Sequence, residues 1–247
     1  MLKFIFLGAI QGLTEFFPVS SSGHLIIAQR LLGFTGDWLA ISIVLHLGTA
    51  CALVAFFLKD IIDLLSNLRL LLLLAVVTLI TGIIGLAGRS FFEGLFSSTE
   101  RVAFAFMLTG VMLIFTKGFL HGERSNFNLK DALILGLTQS IAIIPGVSRS
   151  GITIATLLFR GLKKEKSLRL SFLAAIPVIF AAALLESRKI NFALKEDWLG
   201  LGLGFLASFS CGIIALKLLR MILKKAKFYY FGYYCIFLAI TVLLFIR

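Results

Sequence analysis

Apolar residues fill long stretches of the chain, and polar ones gather in short runs between them. Crossing about 30 Å of hydrocarbon takes roughly 20 helical residues. Six stretches meet or approach that length: 39–58, 70–88, 101–116, 168–185, 199–216 and 228–246. Two further apolar regions are interrupted. The first, 2–17, ends at Pro18, passes through Val19-Ser20-Ser21-Ser22-Gly23-His24 and resumes to Leu32. The second, 132–144, ends at Pro145, passes through Gly146-Val147-Ser148-Arg149-Ser150-Gly151 and resumes to Phe159. Polar, broken backbone at membrane depth survives only when buried in protein or lining a wet cavity. Both regions therefore predict helix–loop–helix re-entrant hairpins. The expected fold is an all-α integral membrane protein, with six transmembrane helices and two re-entrant helical hairpins in one membrane domain, 1–247. The N-terminal stretch carries polar residues and lacks a small-residue cleavage site, so it reads as a hairpin and not as a signal peptide.

The hairpins resemble each other. Gly12-Leu13-Thr14-Glu15 matches Gly136-Leu137-Thr138-Gln139, and Val19-Ser20-Ser21-Ser22-Gly23 matches Val147-Ser148-Arg149-Ser150-Gly151, with four extra residues inside the second copy. Each copy precedes three full spans, giving a first repeat over about 1–118 and a second over about 128–247. Three crossings between the copies place them on opposite faces: an inverted-topology repeat, whose interrupted helices mark a midplane site. Fifteen Lys and Arg lie on the side holding loops 59–69, 117–131, 160–169 and 217–227, against eight on the other. The positive-inside rule makes the first side cytoplasmic, so the first hairpin enters from the outer face. At about 1.5 Å per residue, Lys3 to Glu15 spans roughly 18 Å and Asp131 to Pro145 roughly 21 Å. Tips entering from opposite faces can then meet.

Composition narrows the picture further. Hydrophobic residues make up 60% and charged ones 15%, too few charges for a surface that faces water everywhere. The net charge of +12 follows from loop topology, so nucleic acid is not an expected partner. Cys51, Cys211 and Cys235 lie in apolar runs without CxxC spacing and read as buried thiols.

Candidate chemistry gathers at the breaks. Glu15 is a carboxylate deep in an apolar run, where an ionisable group is costly and faces a partner in the bundle interior. Gln11, one turn earlier, shares its helix face, a pair suited to a divalent ion or a phosphate hydroxyl. The Ser20-Ser21-Ser22-Gly23-His24 run suits a phosphate-binding nest, and a serine becomes a nucleophile when His or Glu is in reach to take its proton. Arg149, between Ser148 and Ser150, needs an anion, and its donor fork matches phosphate oxygens. His46 reads as an interhelical hydrogen-bonding residue, His121 as solvated, the 217–227 basic cluster as topological, and Pro177 as a kink.

These residues carry a resemblance. Gln11 to His24 and Pro145 to Gly151 fit the (E/Q)xxxE, PxSSxGH and PGxSRSG patterns of the bacterial undecaprenyl-diphosphate phosphatases of the bacitracin-resistance type, and the chain resembles that family over nearly its whole length, the 171–177 stretch included. The resemblance implies removal of the terminal phosphate of undecaprenyl diphosphate, recycling the lipid carrier for cell-wall synthesis. It implies a multi-pass protein of the bacterial inner membrane, a site open to the outer face, and dependence on a divalent cation, magnesium or calcium. It places Glu15, Ser21, His24 and Arg149 in the active site, with Gln11, Ser20, Ser22, Gly23, Ser148, Ser150 and Thr153 around the substrate, and Glu15 and Gln11 as metal ligands. The pattern permits Gln11 at its first (E/Q) position, and with it the chain has one carboxylate there, which weighs against a metal held by two carboxylates. The expected partners are the lipid diphosphate and bilayer lipids, and a homo-oligomer is left open. Ser21, His24 and water all stand as nucleophiles at this point. The alternative is a secondary transporter or polyprenyl-phosphate flippase, since inverted repeats with broken helices also build transporters.

Overall fold

The computed structural model describes residues 1–32, 38–95, 98–187 and 197–245. Among them the chain is all-α, with α1 Leu2–Phe16, α2 Ser21–Leu32, α3 Trp38–Phe56, α4 Leu58–Leu65, α5 Leu68–Ala87, α6 Arg89–Leu95, α7 Thr99–Phe115, α8 Leu129–Ile141, α9 Arg149–Phe159, α10 Lys164–Ser187, α11 Trp198–Lys224 and α12 Tyr230–Phe245. Five helices, α3, α5, α7, α10 and α11, are long and apolar enough to cross a membrane, which makes this a multi-pass membrane protein. The sixth expected span appears as α12, apolar but only 16 residues long in its described part. Ile246 lies outside the described residues, as do Arg188, Lys189, Lys195 and Arg247 of the outer-side charge count.

Both interrupted regions form helical hairpins whose two ends lie side by side. Lys3 Nζ at the start of α1 donates to the Leu32 carbonyl at the end of α2 (3.5 Å). At the foot of the second hairpin, Asp131 near the start of α8 takes Nη1 and Nη2 of Arg124 (2.7 and 2.8 Å) and Nε of Arg160 just past α9 (2.9 Å). Asp131 is fully buried, and these guanidinium groups hold its carboxyl down at about 2. Asn128 and Asp131 also form a reciprocal capping box, which starts α8 three residues before the apolar run does.

Two short helices occupy segments read as loops. In α4 the carboxylates Asp60 and Asp63, three residues apart, both pair with Arg169 of α10. The remaining exposed leucines and isoleucines suit a helix lying in the interface. Local charge masked this amphipathic period.

The hairpins pack across the halves. α1 lies along α11, and α8 lies along α5; α11 in turn packs on α3, and α5 on α10. Small residues allow the first approach: a Cβ on Gly12 would stand 2.5 Å from the Ser208 carbonyl oxygen, and one on Gly8 would overlap that of Gly204. We propose that these exchanges reflect the two inverted repeats, since α1 with α11 and α8 with α5 are corresponding pairs. The hairpin tips agree in detail: Ser20 faces Ser22 (3.3 Å) as Ser148 faces Ser150 (3.2 Å). Ser20 and Ser148 accept from Gly23 N and Gly151 N (3.5 and 3.1 Å).

Candidate active site

The two tips meet inside the bundle. Ser150 Oγ donates to the Phe17 carbonyl (3.2 Å), and Arg149 Nη2 donates to Glu15 Oε1. Ser20 adopts φ 64°, a left-handed turn that an L residue pays for and that redirects the chain from α1 into α2. Gly146 at φ 96° makes the matching bend in the second tip, held where Thr109 of α7 donates to its carbonyl (3.2 Å). Helices α2 and α9 therefore both begin at this meeting point. The positive ends of both helices lie here, where an anion is favoured.

Glu15 is the hub, its side chain only 2% exposed. Oε2 accepts from Ser21 Oγ at 2.5 Å and from Gln11 Nε2 at 3.0 Å, while Oε1 takes Arg149. The Ser21 hydroxyl is thus already aimed at a carboxylate, the geometry of a serine with its base. Arg149 Nη1 is buried without a partner. An unpaired guanidinium donor is expensive, and a phosphate oxygen would satisfy it.

Glu15, Ser20, Ser21, Ser22, Ser148 and Arg149 line one end of a cavity of about 300 Å³. Its walls continue over apolar residues of α2, α3 and α10, and over Ala142 and Ile143 just past α8, to Trp38, Ser42 and Glu186. Of the residues expected at the site, these six face the cavity together. Gln11 stands behind Glu15, fully buried, with Nε2 also 3.4 Å from Thr49 Oγ1. Ser150 lies on the tip-to-tip seam. Thr153 faces away, bonded to the Arg149 carbonyl (2.7 Å) and to Ser171 of α10 (2.6 Å). Gly23 is a packing residue, since a Cβ there would strike the Phe106 ring.

His24 does not line the cavity. Its Nδ1 is 2.7 Å from the Ser20 carbonyl, which can only accept, so the proton is on Nδ1. Its Nε2 is 2.7 Å from Tyr234 Oη of α12. The neutral ring then accepts the tyrosine O–H and clamps the left-handed Ser20 from behind. Tyr234 gave no signal in the sequence beyond its place in an apolar span.

Three other side chains reach the cavity unforeseen. His46 was expected to bond to a neighbouring helix. Instead Nδ1 bonds back to the Ser42 carbonyl of its own helix (2.7 Å), leaving Nε2 3.8 Å from Glu15 Oε2. Gln139 and Thr81 face the cavity from α8 and α5; Gln139 Nε2 donates to Thr81 Oγ1 (3.2 Å), and its Oε1 is buried without a partner. The repeat alignment was the available signal, because Gln139 is the counterpart of Glu15.

The donor set can be tested against a divalent cation. Among the described residues, no three His, Cys, Asp or Glu side chains gather around one point. Glu15 offers one carboxylate, and Gln11 Oε1 is a buried acceptor without a partner. One carboxylate with amide and phosphate oxygens fits a hard ion that completes its shell from substrate and water.

The model of the family described as Bacitracin resistance protein BacA matches residues 4–241. This chain belongs to that family. Among its relatives, the protein named undecaprenyl-diphosphatase from Halothermothrix orenii is 40% identical over 99% of this chain and 97% of its own length. Those of the same name from Carboxydothermus hydrogenoformans and Bacteroides thetaiotaomicron are each 37% identical, over 97% and 98% of this chain and 95% and 98% of theirs. The segments 11–24 and 145–151, which carried the resemblance, contain the two tips.

Proposed function

We propose that this BacA-family chain is a membrane phosphatase that hydrolyses undecaprenyl diphosphate to undecaprenyl phosphate and inorganic phosphate. The observation that carries the reading is the Ser21 hydroxyl on the Glu15 carboxylate, at the end of a cavity where Arg149 and two helix N-termini favour an anion. The apolar walls suit an isoprenoid chain that cannot leave the bilayer. The transporter alternative draws no support from the relatives described above, which share the phosphatase name.

Arg149 Nη1 and the backbone N–H groups opening α2 and α9 hold the diphosphate. Ser21 Oγ attacks the terminal phosphorus as Glu15 takes its proton; the Oγ–P bond forms, and the bond from that phosphorus to the bridging oxygen breaks. Undecaprenyl phosphate departs as an anion whose conjugate acid has a pKa near 6, so its departure needs no strong acid, consistent with His24 pointing elsewhere. Water then attacks the phosphoserine, the Oγ–P bond breaks, Glu15 returns its proton to Oγ, and both water protons leave on phosphate. Arg149 and the helix ends offset charge on the transferring group. Glu15 and Gln11 would hold a divalent cation, magnesium or calcium by family resemblance, which supplies further neutralisation of the diphosphate.

The rim residues Trp38, Ser42 and Glu186 lie towards the ends of α3 and α10 that the charge bias assigns to the outer side, which supports access from the outer face of a bacterial inner membrane. Phosphate release from undecaprenyl diphosphate in detergent, with and without EDTA, tests the function. The wild type should release phosphate, and Glu15→Ala should lose it by about a thousandfold. Equal release by both would remove this site from the reaction.

A further inference from the structure

The orientation of His46 carries an inference beyond the family motifs. Its Nδ1 faces the Ser42 carbonyl at 2.7 Å, and a carbonyl only accepts, so Nδ1 bears a hydrogen, and the neutral form of the ring would present a lone pair at Nε2. His46 lines the cavity, and among the described residues no hydrogen bond is formed at Nε2. A ring N–H fixed on a backbone carbonyl, with the other nitrogen free, is the usual arrangement of a metal-ligating histidine.

Around this lone pair stand the remaining donors. Glu15 Oε2 is 3.8 Å away. Gln11 Nε2 donates to the same Oε2 (3.0 Å) and to Thr49 Oγ1 (3.4 Å); turning the amide over would exchange these bonds for the unpartnered Oε1. In that orientation the amide and carboxylate oxygens would repel unless a cation lay between them. Nitrogen and oxygen ligands about 2.1 Å from one ion stand roughly 3–3.4 Å apart at bond angles of about 90–109°. His46 is 30% exposed on its side chain, so it has room to close the few tenths of an ångström that remain.

We propose that His46 Nε2, Glu15 Oε2 and the Gln11 amide oxygen form a three-point site for a first-row divalent cation, of which Mn²⁺ is the probe. The proposal rests on the phosphatase reading only in placing the ion at the diphosphate end of the cavity. An imidazole ligand shifts preference away from Ca²⁺, which takes oxygen donors, and towards Mn²⁺, Co²⁺ and Zn²⁺. Arg149 occupies the other carboxylate oxygen, so ion and guanidinium would approach the diphosphate from the two sides of Glu15.

The test is Mn²⁺ binding to the purified full-length protein in detergent without substrate, followed by electron paramagnetic resonance. The expected result is one Mn²⁺ per chain with spin-echo modulation from a bound imidazole nitrogen. Affinity should fall about tenfold or more in His46→Ala and His46→Gln, with the nitrogen modulation lost. His121→Ala, in an exposed turn, should bind as the wild type does. Wild type without nitrogen modulation, without binding up to about 1 mM Mn²⁺, or with unchanged affinity in both His46 variants overturns the proposal. The modulation is read on wild type, so a misfolded variant does not blunt the test. Loss of the His46 site leaves the phosphatase reading standing, and a wild type that binds Mn²⁺ but releases no phosphate overturns that reading alone.

Discussion

Arg149 donates through Nη2 to Glu15 Oε1, an ion pair between residues 134 positions apart. It joins the tips of two hairpins that the charge bias brings in from opposite faces. The pair therefore serves both to hold the tips together and to present charge to the substrate.

Removing the guanidinium leaves a carboxylate only 2% exposed without its counter-charge, and breaking a buried pair costs roughly 3–5 kcal/mol. Arg149→Ala should lower kcat/KM for phosphate release by about a hundredfold or more. Arg149→Lys keeps the charge without the fork and should lose about tenfold. Phosphate release measured side by side decides it; an alanine variant within about threefold of wild type contradicts the role.

Ser21 donates to Glu15 at 2.5 Å, and the proposed chemistry passes through a phosphoserine. Rapid acid quench during turnover of substrate labelled in the terminal phosphate should place label on the peptide containing Ser21. Ser21→Ala should retain less than about a thousandth of the activity. Full turnover in that variant would return the attack to water or His24.

The Asp131 carboxyl lies at the foot of the second hairpin, outside the spanning helices, held at about 2 by Arg124 and Arg160. An unfolded aspartate titrates near 3.9. A depressed folded value means that the stabilisation is complete above about pH 4 and is lost as pH falls towards 2. Asp131→Asn should lower the apparent Tm at pH 7 by about 5–10 °C. The gap from wild type should narrow below about pH 4. A gap that is constant with pH would exclude the charge as its source.

Gln139 lines the cavity and its Oε1 is a buried acceptor without a partner, suited to a water or a protonated phosphate oxygen. Gln139→Leu should lower kcat/KM about tenfold, equivalent to roughly 1.4 kcal/mol. Steady-state phosphate release reads this, with unchanged values counting against contact.

Gly12 meets the Ser208 carbonyl without room for a side chain. Gly12→Leu should push α1 off α11, at a cost of about 1–3 kcal/mol or more. Size-exclusion profiles and thermal melts in detergent would show a lower folded yield, and a wild-type melt would argue that the helices are not this close.

The sequence exposed the hairpins because Pro18 and Pro145 break apolar runs next to serines, and it exposed Glu15 and Arg149 because charge at that depth demands a partner. His46 and Tyr234 were harder to place. Both lie in helices that are apolar all round, so no period says which side faces the site. The turn of His24 away from the cavity depends on the left-handed Ser20 and on Tyr234, 210 residues later. Short helices such as α4 were hidden for a different reason: charged residues at an interface look like a loop until their spacing is placed against Arg169.

The packing of α1 along α11 sets an order for biosynthesis. The first hairpin is made before the other described helices, yet the helix along which α1 lies comes from residues 198–224. Until then Glu15 lacks its helix neighbour although Arg149 is already made, so a nascent chain stalled before α11 would contain every motif residue without the helix that holds α1 in place. Membrane insertion and active-site formation are thereby separate events, and the second waits for most of the chain to be made.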